Sequence, residues 1–278
     1  MIHVNPAQIA PPHLEIRGLS KAYRDGLLSR HSHVALNDVS LTLTADQGRV
    51  LSIVGESGSG KTTLARIILR VVVADAGEID VAGQRIVSSG HPSVNASKLR
   101  SLVQPIFQNP FEAFSLQIPV EEYLFRTAIN LGDRSAGATP KQAVEDALQA
   151  VGLGYSRVAG KGIRAFSGGE LQRISIARAL IARPRLIIAD EPVSMVDASL
   201  RMTIVNLFRE LADKRDVAFV YITHDLSTAY YLSDMMAIMK NGEVIEFGRP
   251  DTILQSPRAA YTRALLDAIP TLDRRWEI

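Results

Sequence analysis

The stretch 50–62, Val50-Leu51-Ser52-Ile53-Val54-Gly55-Glu56-Ser57-Gly58-Ser59-Gly60-Lys61-Thr62, decides the fold. It opens with a short apolar run, passes through a Gly/Ser loop and enters a helix-like pattern over 62–69. Strand, loop and helix in that order are the setting in which G-x-x-x-x-G-K-[ST] holds phosphate. Glycines let backbone N–H groups approach the phosphates, Lys61 carries positive charge to the outer ones, and the Thr62 hydroxyl can ligate Mg²⁺. A nucleoside triphosphate site follows. Its purpose does not, because kinases, GTPases and transport ATPases all use this loop.

Outward from the loop, two more apolar runs end in polar residues. Residues 185–189 lead into Asp190-Glu191-Pro192, and 218–223 lead into His224-Asp225. In a parallel α/β sheet the ligand crevice lies beyond the carboxyl ends of the strands, so these groups are expected to gather there. A helix-like pattern over 200–215 supports that class. Residues 14–19, 40–44 and 78–81, the last followed by Ala82-Gly83, alternate or turn like an antiparallel β subdomain. Helical patterns such as 141–151 dominate 107–165, with Gly/Ala/Ser breaks around 132–139, so this part reads as a helical insertion. The tail, 250–278, is short and helix-prone, with Trp276 near its end, and no internal repeat is visible.

Composition narrows the classes. With 278 residues, 46% hydrophobic and 22% charged, the chain is a folded protein with a sizeable core. Lys plus Arg is 31 against 29 for Asp plus Glu, and a net charge of +2 argues against nucleic-acid binding by bulk charge. The absence of cysteine excludes disulfides, thiolate zinc sites, cysteine nucleophiles and cysteine-ligated iron–sulfur clusters, and fits a reducing, cytoplasmic setting. Residues 1–12 lack the basic start and apolar run of a signal peptide. Charge interrupts the apolar stretches: Arg66 and Arg70 break 64–73, and Arg183 and Arg185 precede 186–189. None is expected to span a bilayer.

Ser167-Gly168-Gly169-Glu170, followed by Leu171-Gln172-Arg173, opens a helix-like pattern running to Ala182. Alone it reads as a capped helix start, whose free N–H groups could hold a second face of a phosphate. It begins 23 residues before Asp190 (190 minus 167), as the signature segment of ATP-binding cassettes does. With it the chain resembles, over nearly its whole length, the nucleotide-binding subunits of ABC transporters. The resemblance implies an α/β P-loop NTPase of the ABC ATPase fold, with a mixed core sheet, an N-terminal antiparallel β subdomain and a helical subdomain at about 107–165. It divides the chain into a tail (1–12), the ATPase domain (13–249) and a C-terminal extension (250–278).

The same resemblance assigns roles. Tyr23 would stack on adenine, and Gly55, Ser57, Gly58, Ser59, Gly60, Lys61, Thr62 and Thr63 would cradle the phosphates. Thr62, Gln108 (in Phe107-Gln108-Asn109-Pro110) and Asp190 would serve the metal, Gln108 also reporting on the membrane subunit. Leu186-Ile187-Ile188-Ala189-Asp190-Glu191 resembles the Walker B strand, where Glu191 polarises the attacking water, and His224 resembles the switch histidine at the γ-phosphate. Lys61, Glu191 and His224 form the catalytic set. Ser167, Gly168, Gly169 and Glu170 would meet the nucleotide of a second subunit, and Asp197 closes the interface loop. Four residues depart from the family pattern: Phe166 for Leu, Glu170 for Gln, and Met195 and Val196 in the loop normally written SALD.

The implied activity is hydrolysis of ATP with Mg²⁺, by two such subunits, identical or paralogous, paired head to tail. Two transmembrane permease subunits and, indirectly, a solute-binding protein would complete the assembly, with this chain peripheral on the cytoplasmic face of the inner membrane and no nucleic acid involved. Ser256-Pro257-Arg258-Ala259-Ala260-Tyr261-Thr262-Arg263-Ala264-Leu265-Leu266, then Ala268-Ile269-Pro270, resembles the tail of oligopeptide and dipeptide importer ATPases. So do Ser20-Lys21-Ala22-Tyr23 with Gly26-Leu27-Leu28, and the run 191–199. Relatives with this tail also move nickel, metallophores, glutathione or sugars. A soluble ABC ATPase of repair or translation is the alternative of another class; it usually carries paired cassettes, coiled-coil insertions or zinc cysteines.

Overall fold

Strand β3 (Val50–Val54) is buried along its whole length, Ser52 included. A strand covered on both faces loses the polar alternation of a half-exposed one, which explains its continuous apolar run. The structure, a computed structural model, describes residues 10–24, 32–132, 137 and 139–268. The expectations placed on 1–9, on Gly26-Leu27-Leu28, on most of the 132–139 break, and on Ile269-Pro270 and Trp276 lie outside the described residues.

β3 sits inside a six-stranded mixed sheet with β7 (Val103–Ile106), β8 (Leu186–Asp190), β9 (Ala218–Thr223), β10 (Met235–Lys240) and β11 (Glu243–Gly248). The order is β11-β10-β3-β9-β8-β7; β11 runs antiparallel to β10 and every other pairing is parallel. Along β8 and β9 alternate residues face opposite cores. Leu186, Ile188, Ala218, Val220 and Ile222 join one apolar cluster; Ile187, Ala189, Phe219 and Tyr221 join the other.

The first cluster lies between this sheet, helix α1 (Lys61–Ile68) and a five-stranded antiparallel sheet. That second sheet, of order β2-β1-β4-β5-β6, comprises β1 (Leu14–Arg24), β2 (Ser32–Leu43), β4 (Ala76–Val81), β5 (Gln84–Ser88) and β6 (His91–Pro92). β1 and β2 are longer than the sequence pattern indicated, and the register shifts between Ile16 and Ala22 interrupt the alternation that would have marked their full extent.

The other face carries helices. After α2 (Ala96–Leu102) and β7 come a 3-10 turn at Pro110–Ala113, then α3 (Val120–Leu131), α4 (Pro140–Ala150) and α5 (Tyr155–Val158). These pack on α6 (Gly168–Ile181) and, with α7 (Ala198–Lys214), on the sheet. Phe208 of α7 meets Phe219 and Tyr221 edge-on, with centroids 5.5 and 6.0 Å apart. Such pairs add about 0.5–1.5 kcal/mol each beyond area burial. Helix α8 (Leu226–Leu232) and the tail helices α9 (Pro250–Gln255) and α10 (Ala260–Asp267) form a third cluster around Val54, Met236 and Ile238. Among the described residues, no helix is long and apolar enough to cross a membrane.

Candidate active site

Four parallel strands deliver their successors to one edge. β7 ends at Ile106 before Phe107-Gln108, β3 at Val54 before the glycine loop, β8 at Asp190 before Glu191, and β9 at Thr223 before His224. Ile106 pairs with Ala189, Asp190 with Ile222, and Val54 with Thr223, so the four ends are level.

The loop owes its shape to glycine at two positions. Gly60 has φ 105° and a Cβ there would lie 2.5 Å from the Ala35 carbonyl oxygen; at Gly55 it would collide with the Met239 carbonyl. Three outside groups hold the loop: Gly242 N–H donates to the Ser59 carbonyl (3.0 Å), the Met239 carbonyl abuts Gly55, and the Glu56 N–H donates to the Tyr261 hydroxyl (2.9 Å). Lys61 is only 6% exposed. Its ammonium donates to the carbonyls of Gly55 (2.7 Å) and Glu56 (2.6 Å) and to Ser59 Oγ (3.2 Å). Burial lowers its pKa, opposed by the charges of Glu191, Asp190 and Glu56.

Asp190 shows the converse. Burial raises its pKa, and neighbouring Glu191 adds to this, against the Thr62 hydroxyl and Lys61. Glu191 stands in the left-handed region (φ 44°), with its N–H bonded to the Ile222 carbonyl. Its carboxylate accepts from Gln108 Nε2 (3.3 Å) and meets His224 Nδ1 at 3.1 Å. The next residue, Asp225, caps α8 by accepting from the N–H groups of Ser227 and Thr228.

Lys61, Glu191 and His224 share a pocket of about 250 Å³ whose wall is completed by Tyr23, His33, Ala35, Ser57, Gly58, Gly60, Thr62 and Thr63, while Gly55, Ser59, Gln108 and Asp190 stand behind that wall or beside it. Strands β1 and β2 bring Tyr23 there, and their register sets Tyr23 opposite His33, which lines the same pocket. His33 and Ala35 escaped the sequence reading, although their period-2 spacing on β2 is the signal that could have found them. A larger hollow, about 410 Å³, lies at the opposite ends of β8 and β9 among Arg183, Arg185 and Arg215, and contains none of the expected residues.

Ser167, Gly168, Gly169, Glu170 and Asp197 do not line the glycine-loop pocket. They form a separate surface: Ser167 caps α6 in a capping box with Glu170, and Gly168 and Gly169 abut Met195 and Leu200. The departures from the family pattern find partners here. Arg157 makes two bonds to Glu170 (2.8 and 2.9 Å), and its guanidinium lies 5.0 Å from the Phe166 ring centroid. A charged residue at 170 and an aromatic one at 166 thus share a single arginine. Val196 is buried and fills the core, whereas Met195 is 61% exposed.

The family profile described as "ABC transporter" matches residues 36–194, from β2 through the glycine loop to the residues beyond Asp190-Glu191. The chain belongs to the ABC transporter family. It is therefore an ATP-binding, ATP-hydrolysing cassette. Over 94% of this chain and 82% of the relative, it is 35% identical to the oligopeptide transport ATP-binding protein OppF of Streptococcus mutans. It is also 35% identical to the di/tripeptide transport ATP-binding protein DppF of Pseudomonas aeruginosa, over 93% of this chain and 79% of the relative. Among solved structures, cbiO1 of Clostridium perfringens, part of the ABC transporter complex cbiONQ, superposes with a TM-score of 0.73 at 24% identity, covering 88% of this chain and 92% of its own. A dimeric post-hydrolysis structure of an ATP-binding cassette with ADP and Pi gives 0.70 at 25% identity, covering 85% of this chain and 98% of its own. The α/β fold with mixed core sheet is that of the family.

Proposed function

We propose that this chain couples ATP hydrolysis to uptake of short peptides, or a related small solute, through separate permease subunits. The observation that carries the paired arrangement is that Ser167–Glu170, which open α6, do not line the Lys61 pocket of their own chain. Two copies, identical or paralogous, arranged head to tail would bring each half against the other. The named relatives and the tail support peptides as the cargo class, ahead of nickel, metallophores or sugars.

In this reading Tyr23 stacks on adenine and the 55–63 loop holds the phosphates. The Thr62 hydroxyl bonded to the Asp190 carboxylate is an oxygen donor set that suits Mg²⁺, which is usually bound by one or two carboxylates plus substrate phosphates. Thr62, Asp190 and Gln108 would hold it, and when bound it neutralises charge on the phosphates. Glu191 accepts a hydrogen bond from water and aligns it with the γ-phosphorus, Gln108 and His224 hold Glu191, and Lys61 stabilises charge on the transferring group. The 107–165 segment faces the permeases, supported by the exposure of Phe107, Phe111 and Leu116 ahead of α3. The subunit would lie on the cytoplasmic face of the membrane, with a solute-binding protein acting from the other side.

The test is uptake in cells depleted of this subunit. Loss of labelled di- to pentapeptide uptake is expected. Unchanged uptake across peptides, nickel and opines would reject the importer assignment.

A further inference from the structure

The phosphate loop is held from behind by the end of the chain. Glu56 N–H donates to the hydroxyl of Tyr261, 205 positions later on α10. Ser57, Gly58, Gly60 and Lys61 line the pocket, but Glu56 does not. Its amide is directed to the tail, and the bond fixes the far side of the turn whose near side meets the ligand.

Several contacts fix Tyr261 in turn. Lys240 Nζ lies 4.5 Å from its ring centroid. Lys240 also ends β10 beside the turn from which Gly242 N–H holds the Ser59 carbonyl. The start of α10 is tied down where Ala259 N–H donates to the largely buried Glu246 carboxylate (2.7 Å). Thr262 is fully buried, and Tyr261, Leu265 and Leu266 pack on the cluster containing Val54, the residue just before the loop.

We propose that Tyr261 is a positioning residue, through which the C-terminal extension holds the phosphate loop in its ligand-ready shape. The proposal rests on the nucleotide-site reading above and concerns a residue outside the pocket. Without the hydroxyl, the Glu56 amide loses its partner and the loop gains alternative conformations, of which only a fraction bind. An intramolecular hydrogen bond of this kind corresponds to roughly a two- to tenfold change in an equilibrium constant, and the apparent dissociation constant rises as the competent fraction falls.

The experiment compares the full chain with Tyr261→Phe, which keeps the ring on Lys240 and the apolar cluster. Three measurements are made: Mg·ATP affinity by titration, thermal melting, and hydrogen exchange at the Glu56 amide. The expected result is a two- to tenfold loss of ATP affinity with a melting temperature lowered by no more than about 2–4 °C and faster exchange selectively at Glu56. Tyr230→Phe removes a surface hydroxyl that donates to Asp251 and should leave ATP affinity unchanged. Equal ATP affinity in wild type and Tyr261→Phe overturns the proposal, as does a fall in melting temperature of several degrees without selective exchange at Glu56. A wild-type chain that fails to bind ATP removes the nucleotide-site reading itself.

Discussion

Replacing Glu191 by glutamine separates binding from turnover, and the structure sets both magnitudes. The amide has the same shape, so it can accept from Gln108 Nε2 through its oxygen and turn its NH₂ toward His224 Nδ1, preserving the 3.3 and 3.1 Å contacts. The left-handed backbone at Glu191 is unchanged, and the fold should lose no more than about 1 kcal/mol, the scale of one hydrogen bond. Neither Lys61 nor Asp190 is touched, so ATP affinity should stay within a few-fold. Hydrolysis responds differently, because the carboxylate is the acceptor that aligns and polarises water. The Glu191 side chain is 24% exposed and held on two sides, whereas that of His224 is 64% exposed and poorly placed to substitute. Losing such a group costs roughly 10² to 10⁴ in rate, or about 2.7–5.4 kcal/mol in the barrier. The assay is ATP turnover, with nucleotide retained, in the assembled complex; the variant should accumulate as an ATP-bound closed pair. Retention of more than about a tenth of the rate would refute the role of Glu191 and shift attention to His224.

Three other substitutions probe the remaining parts. Tyr23→Ala should weaken ATP binding by about 1–3 kcal/mol, the range for a base stacked on an aromatic ring, while Tyr23→Phe binds as wild type; titration calorimetry would contradict this with equal affinity for the alanine variant. Burial and Glu191 hold the Asp190 pKa up, so its charge opposes folding above that pKa and the opposition fades as pH falls. Asp190→Asn should therefore raise the melting temperature of the nucleotide-free chain at pH 7 and abolish its further rise with Mg·ATP; a lower melting temperature without ligand would reverse the argument. Arg157→Ala removes the Glu170 pair and the Phe166 stack, worth about 1–2 kcal/mol at a half-exposed site, or some 2–4 °C per kcal/mol. The Arg157 hydrogen bonds also hold the Glu170 pKa down, so this stabilisation is present above the usual glutamate range and lost on acidification below it. Melting curves for wild type and variant that stay equally far apart down to pH 3 would exclude the pair as its source.

The chemistry was more legible than the scaffold. The glycine loop, Asp190-Glu191 and His224 could be read because each follows an apolar strand, and function imposes fixed residue types at strand ends. Tyr23 was readable only as part of a family pattern, since what makes it a pocket wall is its pairing with β2, a long-range relation. β10 was missed because Met235-Met236-Ala237-Ile238-Met239 holds a single β-branched residue, Ile238, among methionines and an alanine; its conformation is imposed by β3 and β11 on either side. The Arg157 contacts were hidden for a similar reason: Glu170 and Phe166 looked like separate departures, and only folding places one guanidinium between them.

The central position of β3 also bears on how the protein is made. Val50 pairs with Phe219 and Leu51 with Met235. When residues 50–61 leave the ribosome, roughly 160 residues are still to come before Phe219 and roughly 175 before Met235, a wait on the order of 10–30 s at about 5–20 residues per second. Through that interval the most apolar strand of the molecule has neither neighbour, and the glycine loop lacks Gly242 and Tyr261. The nascent chain thus carries an exposed, pairing-competent segment for most of its synthesis, and ATP can act as a folding ligand only once β9, β10 and the Gly242 turn have emerged.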